Sequence, residues 1–239
     1  MFRSVDYTAT YYQGCDHGCP WCWTLFQRGP ISHEPRLLQR DEYQLLKERE
    51  ACIFLNSAHD SFALCIPTDW ILQMLRWIGR QHPSLEFYLQ SQAVERTLNE
   101  EVILEQLLQV RDRVIIGTTI QTDREDIIRM FSEAPSISRR YQAMLKFKEL
   151  GFRLRLSLEP LFDFNYAKLA DIVLNIGPEL VEIGLDNYAH RHKLDIPQPD
   201  YMGFRFLVDD MKGAGIRVCE KRSMKKWREG KSSRSDVIL

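Results

Sequence analysis

Long apolar runs are missing from this chain. No window approaches the ~18 uninterrupted apolar residues of a membrane span, and the opening residues, Met1-Phe2-Arg3-Ser4-Val5-Asp6, lack the apolar stretch of a signal peptide. Charge of one sign is missing too. Thirty-two Lys and Arg stand against 33 Asp and Glu, a formal net charge of −1, so the bulk balance recruits neither nucleic acid nor a membrane surface. Cysteine is sparse outside one loop: Cys52, Cys65 and Cys219 are scattered in apolar or strand-like settings, which is no disulfide framework. Together these absences predict a cytoplasmic protein in a reducing compartment, with no membrane partner.

What is present is a regular alternation. With 239 residues and 44% hydrophobic content, the chain can bury one sizeable core, and the length fits a single α/β domain. Continuous or alternating apolar runs predict strands over Tyr7 to Tyr12, Ala51 to Ser57, Leu85 to Gln92, Arg113 to Thr122, Phe152 to Leu158, Leu180 to Leu185 and Ile216 to Cys219. Helical periodicity predicts helices over Leu37 to Arg49, Thr68 to Gln81, Val94 to Val110, Ala167 to Asn175 and Tyr201 to Lys212, the last ended by Gly213. A helical stretch from Arg124 to Leu150 is broken at Pro135 and closed by Gly151. The expected fold is α/β, a partial (β/α) TIM-like barrel of six or seven parallel strands. The expected division is a barrel domain over 1–227 and a C-terminal tail over 228–239.

One predicted strand carries a cost. In Phe152 to Leu158 the apolar residues Phe152, Leu154, Leu156 and Leu158 alternate with Arg153, Arg155 and Ser157, and Glu159 follows. If helices cover one face, the polar set points into the barrel, where it needs partners or a polar ligand. Gln90 with Gln92, and Glu182 with Gly184 and Asp186, are inward candidates on neighbouring strands.

The other three cysteines crowd into Gln13-Gly14-Cys15-Asp16-His17-Gly18-Cys19-Pro20-Trp21-Cys22-Trp23, at Cys-x3-Cys-x2-Cys spacing. Three thiolates on one short loop suit an iron–sulfur cube, and three ligands for four irons leave one iron open to a small chelating molecule. Two other readings stand beside it. Cys19-Pro20-Trp21-Cys22 alone has the form of a thiol oxidoreductase Cys-x-x-Cys, which needs a thioredoxin-like fold and leaves Cys15 without a role. A structural zinc would need His17 as fourth ligand, although it lies between two of the cysteines.

The loop resembles the signature of the radical S-adenosylmethionine superfamily, Cys-x3-Cys-x-aromatic-Cys, with Trp21 as the aromatic. The strings Ile53-Phe54-Leu55-Asn56-Ser57-Ala58-His59-Asp60-Ser61-Phe62, Gly117-Thr118-Thr119-Ile120, Leu158-Glu159-Pro160 and Ile183-Gly184-Leu185-Asp186 resemble a phage- and bacteria-associated family of this kind. That family has no known function and is related to spore photoproduct lyase. The resemblance implies a [4Fe–4S] cluster on Cys15, Cys19 and Cys22, S-adenosylmethionine on the fourth iron beside Trp21, and reductive cleavage to a 5′-deoxyadenosyl radical that abstracts hydrogen from a substrate. It also implies an external one-electron reductant of flavodoxin or ferredoxin type. Cys65 is the candidate for a cysteine that returns a hydrogen atom, as in the lyase relatives.

In a parallel barrel, ligands sit at the C-terminal ends of the strands. That rim collects the candidate cofactor residues: Ser57 and Asp60 for the amine, Thr118 or Thr119 for the ribose, Arg139 or Arg140 for the carboxylate, and Gln92 and Glu159 as further polar groups. Nucleic acid is the leading candidate substrate. The lyase-like strings suggest it, and Lys221-Arg222-Ser223-Met224-Lys225-Lys226-Trp227-Arg228 joins cations to an aromatic that could stack on a base. A non-catalytic iron–sulfur electron-transfer or sensing protein is the alternative from a different class.

Overall fold

The computed structural model describes residues 5–29, 34–38 and 50–228. Seven strands form one sheet: β1 Tyr7–Ala9, β2 Ala51–Leu55, β3 Leu85–Gln90, β4 Val114–Thr119, β5 Arg153–Leu158, β6 Leu180–Ile183 and β7 Arg217–Glu220. They lie in chain order, every neighbouring pair parallel. Sequential parallel order requires each crossover to return on the same side, and right-handed crossovers curl such a sheet with its helices outside. The result is a half-barrel, the partial TIM-like barrel expected, with seven strands. The longer helices among the described residues are α1 Trp23–Arg28, α2 Thr68–Gly79, α3 Glu101–Gln109, α4 Glu125–Phe131, α5 Ile137–Glu149, α6 Tyr166–Ile176, α7 Tyr201–Gly213 and α8 Arg222–Arg228. Among the described residues, no helix is long and apolar enough to cross a membrane.

The main core lies between the sheet's outer face and the helices. The helical spacing of Ile71, Met74, Leu75 and Ile78 places all four of these α2 side chains out of water, each worth roughly 1.5–3 kcal/mol. Helix starts follow local chemistry. The Ser136 side chain accepts from Arg139 N–H, Asn165 from Lys168 and Asp200 from Gly203, which satisfies N–H groups that the first turn leaves open.

Several expected boundaries shift for identifiable reasons. The strand expected over Tyr7 to Tyr12 is cut after Ala9. Asn56, at φ 56°, turns its side-chain oxygen to Tyr11 N–H at 2.8 Å and Tyr12 N–H at 3.3 Å. Tyr12–Gln13 then pairs antiparallel with Arg36–Leu37, so the start of the helix expected over Leu37 to Arg49 is strand. Residues 39–49 lie outside the described residues. The helix expected over Val94 to Val110 divides into a single helical turn, the short α-helix Arg96–Asn99, and α3, because Glu100 is extended. Gly213 is still helical; the left-handed residue beyond α7 is Gly215.

The inner face carries the polar column. At its floor Arg155 Nε meets Glu179 Oε1 at 2.8 Å, Arg153 Nε meets Glu179 Oε2 at 2.8 Å, and Arg153 also pairs with Glu86. The Arg155 guanidinium lies 5.3 Å from the Tyr88 ring centroid. Gly117 makes room for that ring, since a Cβ there would stand 2.5 Å from the Tyr88 hydroxyl oxygen.

Candidate active site

The cysteine loop leaves Tyr12–Gln13 at the C-terminal rim of the sheet and runs into α1. Two glycines let it fold back. Gly14 has φ +136°, and a Cβ there would press on Pro35 Cα at 3.1 Å; Gly18 has φ +61°. The loop is then fixed from three directions. Thr24 Oγ1 donates to Ala58 O at 2.8 Å from the turn after β2. Glu133 N and Ser132 Oγ donate to His17 O at 2.9 and 3.0 Å from the far side of α4. The third hold is Asp60, which is buried and accepts four hydrogen bonds. They come from His17 Nε2 at 2.8 Å, Phe62 N at 2.8 Å, Ser91 Oγ at 2.5 Å and Gln92 N at 2.6 Å.

The His17–Asp60 contact sets the local charge. Burial alone would lower the imidazole pKa, but the Asp60 carboxylate outweighs it and holds His17 above its ordinary value. Burial likewise favours neutral Asp60, and His17, Ser91 and Gln92 overcome it and hold the carboxyl below its ordinary range. The ring that a zinc site would have needed is committed to Asp60. Among the described residues, no three His, Cys, Asp or Glu side chains converge on one ion.

All three loop cysteines are free and half-buried. Burial and the Asp60 charge push Cys15 well up; burial pushes Cys19 up against hydrogen bonds from Ser132 and Gln92. Cys19 Sγ lies 3.1 Å from Ser132 Oγ, and Gln92 Nε2 donates to it at 3.4 Å. Iron ligation removes the proton and turns the sulfur into an acceptor, for which both neighbours can be donors. Three thiols on one rim loop, with donors already turned to one of them, fit a [4Fe–4S] cluster, whose sulfurs bind separate irons. The alternative Cys-x-x-Cys reading needed a thioredoxin-like fold, and this parallel half-barrel is a different one.

The other candidates divide. Trp21 is buried with its ring edge-on to Phe162, centroids 4.9 Å apart. Arg140 is fully buried under the loop: Nε donates to Pro135 O at 2.7 Å and Nη1 to Thr119 O at 2.8 Å and Gln121 Oε1 at 3.0 Å, while Nη2 is buried without a partner. Burial pushes its pKa down to about 10, so it stays cationic at neutral pH. Thr118 and Thr119 face opposite ways. Thr118 Oγ1 donates to Ser91 O at 2.7 Å, whereas Thr119 Oγ1 accepts from Gln90 Nε2 at 2.8 Å in the lumen. Ser57 lies half-buried in the turn after β2. Glu159 Oε2 is 3.7 Å from Lys221 Nζ, which is 3.0 Å from Glu182 Oε1. Cys65 lies beside the cysteine loop, its N–H donating to Asp16 Oδ2 at 3.1 Å. Burial, then Asp16 and Asp60, push its thiol up to about 11.

Two members of the basic C-terminal stretch turn inward. Lys221 pairs with the lumen carboxylates, and Trp227 packs edge-on to Tyr201 at 5.3 Å. Sequence reasoning missed Ser132, which reaches the loop from 113 residues away with no local motif to mark it. It also left His17 uncommitted, although a histidine inside the loop was the available signal.

Neither family models nor curated proteins give a match to the sequence. Solved structures do. A Cys→Ser variant of spore photoproduct lyase superposes with a TM-score of 0.69 at 14% identity, over 92% of this chain and 78% of that one. Another variant of the lyase, with bound AdoMet and dinucleoside spore photoproduct, gives 0.66 at 14% identity over 91% and 77%. SuiB of Streptococcus suis, bound to its precursor peptide SuiA, gives 0.63 at 11% over 93% of this chain but 51% of that one. At these identities the likeness is one of fold: the chain has the half-barrel of these enzymes.

Proposed function

We propose that the chain is a radical S-adenosylmethionine enzyme. The observation that carries this reading is the Cys15, Cys19 and Cys22 loop, held on the C-terminal rim of a parallel half-barrel above a polar lumen. When bound, the [4Fe–4S] cluster would pass one electron to S-adenosylmethionine, breaking its 5′ carbon–sulfur bond to give methionine and a 5′-deoxyadenosyl radical that takes a hydrogen atom from substrate. The electron comes from a flavodoxin- or ferredoxin-type reductant.

In this reading Arg140 takes the cofactor carboxylate, using the buried Nη2 that has no protein partner. Thr119 serves the ribose, Ser57 the amine, and Trp21 the adenine. Asp60 acts through His17 as a positioning residue, since its carboxylate already has four donors. Cys65 keeps its proton at neutral pH, the form in which its S–H bond can return a hydrogen atom.

For the substrate we infer nucleic acid, supported by the rim around α1 more than by the C-terminal stretch. Arg28 lies over Trp23 at 5.7 Å, Phe26 stacks on Tyr188 at 4.6 Å, and Arg191 lies 5.9 Å from both of those rings. Aromatic faces beside cations suit stacked bases and phosphates. One structural neighbour holds a dinucleoside photoproduct and another a peptide, so fold alone does not choose between them.

The test is anaerobic reconstitution followed by dithionite and S-adenosylmethionine. Four irons per chain with release of 5′-deoxyadenosine and methionine is the expected result. Four irons with no turnover, and no change in the cluster's EPR signal on adding S-adenosylmethionine, would leave a non-catalytic cluster protein.

A further inference from the structure

Gln92 does not reach Cys19 as an isolated amide. It ends a chain of hydrogen bonds that begins on the buried guanidinium of Arg140. Arg140 Nη1 donates to Gln121 Oε1 at 3.0 Å, Gln121 Nε2 donates to Gln92 Oε1 at 3.3 Å, and Gln92 Nε2 donates to Cys19 Sγ at 3.4 Å. Every link points the same way, so each amide is polarised by the one before it. Arg140 and Gln121 are both out of water, at 0% and 1% exposure. Solvent therefore does little to screen the cation at the head of the chain.

The three sulfurs are not equivalent in this respect. Among the described residues, Cys19 is the loop cysteine whose sulfur meets side-chain polar groups, the Gln92 amide as donor from one side and the Ser132 hydroxyl from another. Ser132 Oγ also meets His17 O at 3.0 Å, to which Glu133 N donates at 2.9 Å, so its single proton can turn to the ligated sulfur while that carbonyl keeps a donor. A donor to a ligand sulfur stabilises the more negative, reduced cluster over the oxidised one, and so raises its potential.

We propose that Arg140, Gln121 and Gln92 form a polarity relay that presents the positive end of an amide to Cys19 Sγ and raises the reduction potential of the cluster there. Gln121 is a positioning residue: it does not touch Cys19, it meets Arg140 at Nη1 rather than at the Nη2 proposed for the cofactor carboxylate, and it fixes which end of Gln92 faces the sulfur. The proposal rests on the cluster reading above.

Gln121→Glu and Gln121→Leu test it. Gln121→Leu removes the link. Gln121→Glu, the same shape, accepts from Arg140 and from the Gln92 amide, which turns Gln92 Oε1 toward the sulfur. The readout is the midpoint potential of reconstituted protein without S-adenosylmethionine, from an EPR-monitored redox titration. Both variants are expected to be more negative than wild type, Gln121→Glu by the larger amount. A tenfold loss in the equilibrium constant for reduction corresponds to about 59 mV for one electron. Gln142→Leu, on the exposed side of α5, is expected to keep the wild-type value. If Gln121→Leu does not fold, Gln121→Met takes its place as the uncharged break, because the carboxylate of Gln121→Glu lowers the potential by its charge as well. Variants with four irons and wild-type potentials overturn the relay while leaving the function standing. Wild-type protein that takes up no iron overturns both.

Discussion

The floor and the rim of the half-barrel are built from the same alternating strands, yet they treat charge differently. At the floor Arg153, Arg155 and Arg217 gather round Glu179, with Glu86 beside Arg153, so each guanidinium meets a carboxylate. At the rim Asp60 holds a histidine of the cysteine loop, Arg140 keeps one buried nitrogen unpartnered, and Lys221 sits between two carboxylates. The floor thus neutralises itself, whereas the rim keeps one cation, Arg140 of α5, with a buried nitrogen unpartnered. An unpaired polar group in a dry site costs stability, and here it lies where a ligand would complete it.

Removing a rim thiol is the largest break. Cys22→Ala is expected to lose the cluster and all release of 5′-deoxyadenosine, with far-UV circular dichroism unchanged; iron assay and product analysis check it. Asp60→Ala comes next, because it strands His17, Ser91 and two backbone N–H groups at once. Loss of a buried charged partner costs on the order of 3–5 kcal/mol. Denaturant melts measure this, and a change under 1 kcal/mol would deny Asp60 its role in holding the loop.

The floor offers the counterpart. Burial favours neutral Glu179, but hydrogen bonds from Arg153 and Arg155 outweigh it and hold its pKa below the ordinary glutamate value. A carboxyl with a depressed folded pKa contributes stability that is complete above its unfolded value, near 4.3. That contribution is lost as pH falls through the folded value. Glu179→Gln is expected to cost about 2 kcal/mol at pH 7, with the deficit shrinking below about pH 4. Cofactor cleavage per folded molecule should not change. Glu159→Gln, nearer the rim, reverses that signature: stability within about 0.5 kcal/mol, with turnover reduced several-fold. Equal turnover would return Glu159 to the structural column.

Much of this contrast was legible in the sequence, because its signals are local. Period-2 alternation in Phe152 to Leu158 turns Arg153 and Arg155 inward whatever the tertiary details, and a Cys-x3-Cys-x2-Cys loop can be read within one line of sequence. What escaped depends on long-range partners. Nothing near Asn56 announces that its side chain will cut the first strand 45 residues away. Asp60 reads as an open acceptor until the four donors converging on it are in view. Lys221 looks like the head of a surface basic cluster, and only the strand order, which sets β7 beside β6, brings it to Glu182 and Glu159.

The smallest effect concerns the substrate, and it asks which part of the rim is the contact surface. If Arg28 and Arg191 meet phosphates, each loss reduces the slope of log affinity against log salt by about 0.7–0.9. Arg191→Ala should therefore weaken binding of single-stranded DNA or RNA roughly equally across sequences, as read by fluorescence anisotropy at several salt concentrations. Tyr188→Ala removes a stacking face and should weaken binding at every salt concentration without changing the slope, by about 1–3 kcal/mol. A chain ended at Met224 separates the C-terminal stretch from the α1 rim. Affinity that survives this truncation but falls in Arg191→Ala assigns contact to the rim, while the opposite pattern returns it to the residues beyond Met224. No binding at low salt by any of these proteins would remove nucleic acid as the substrate.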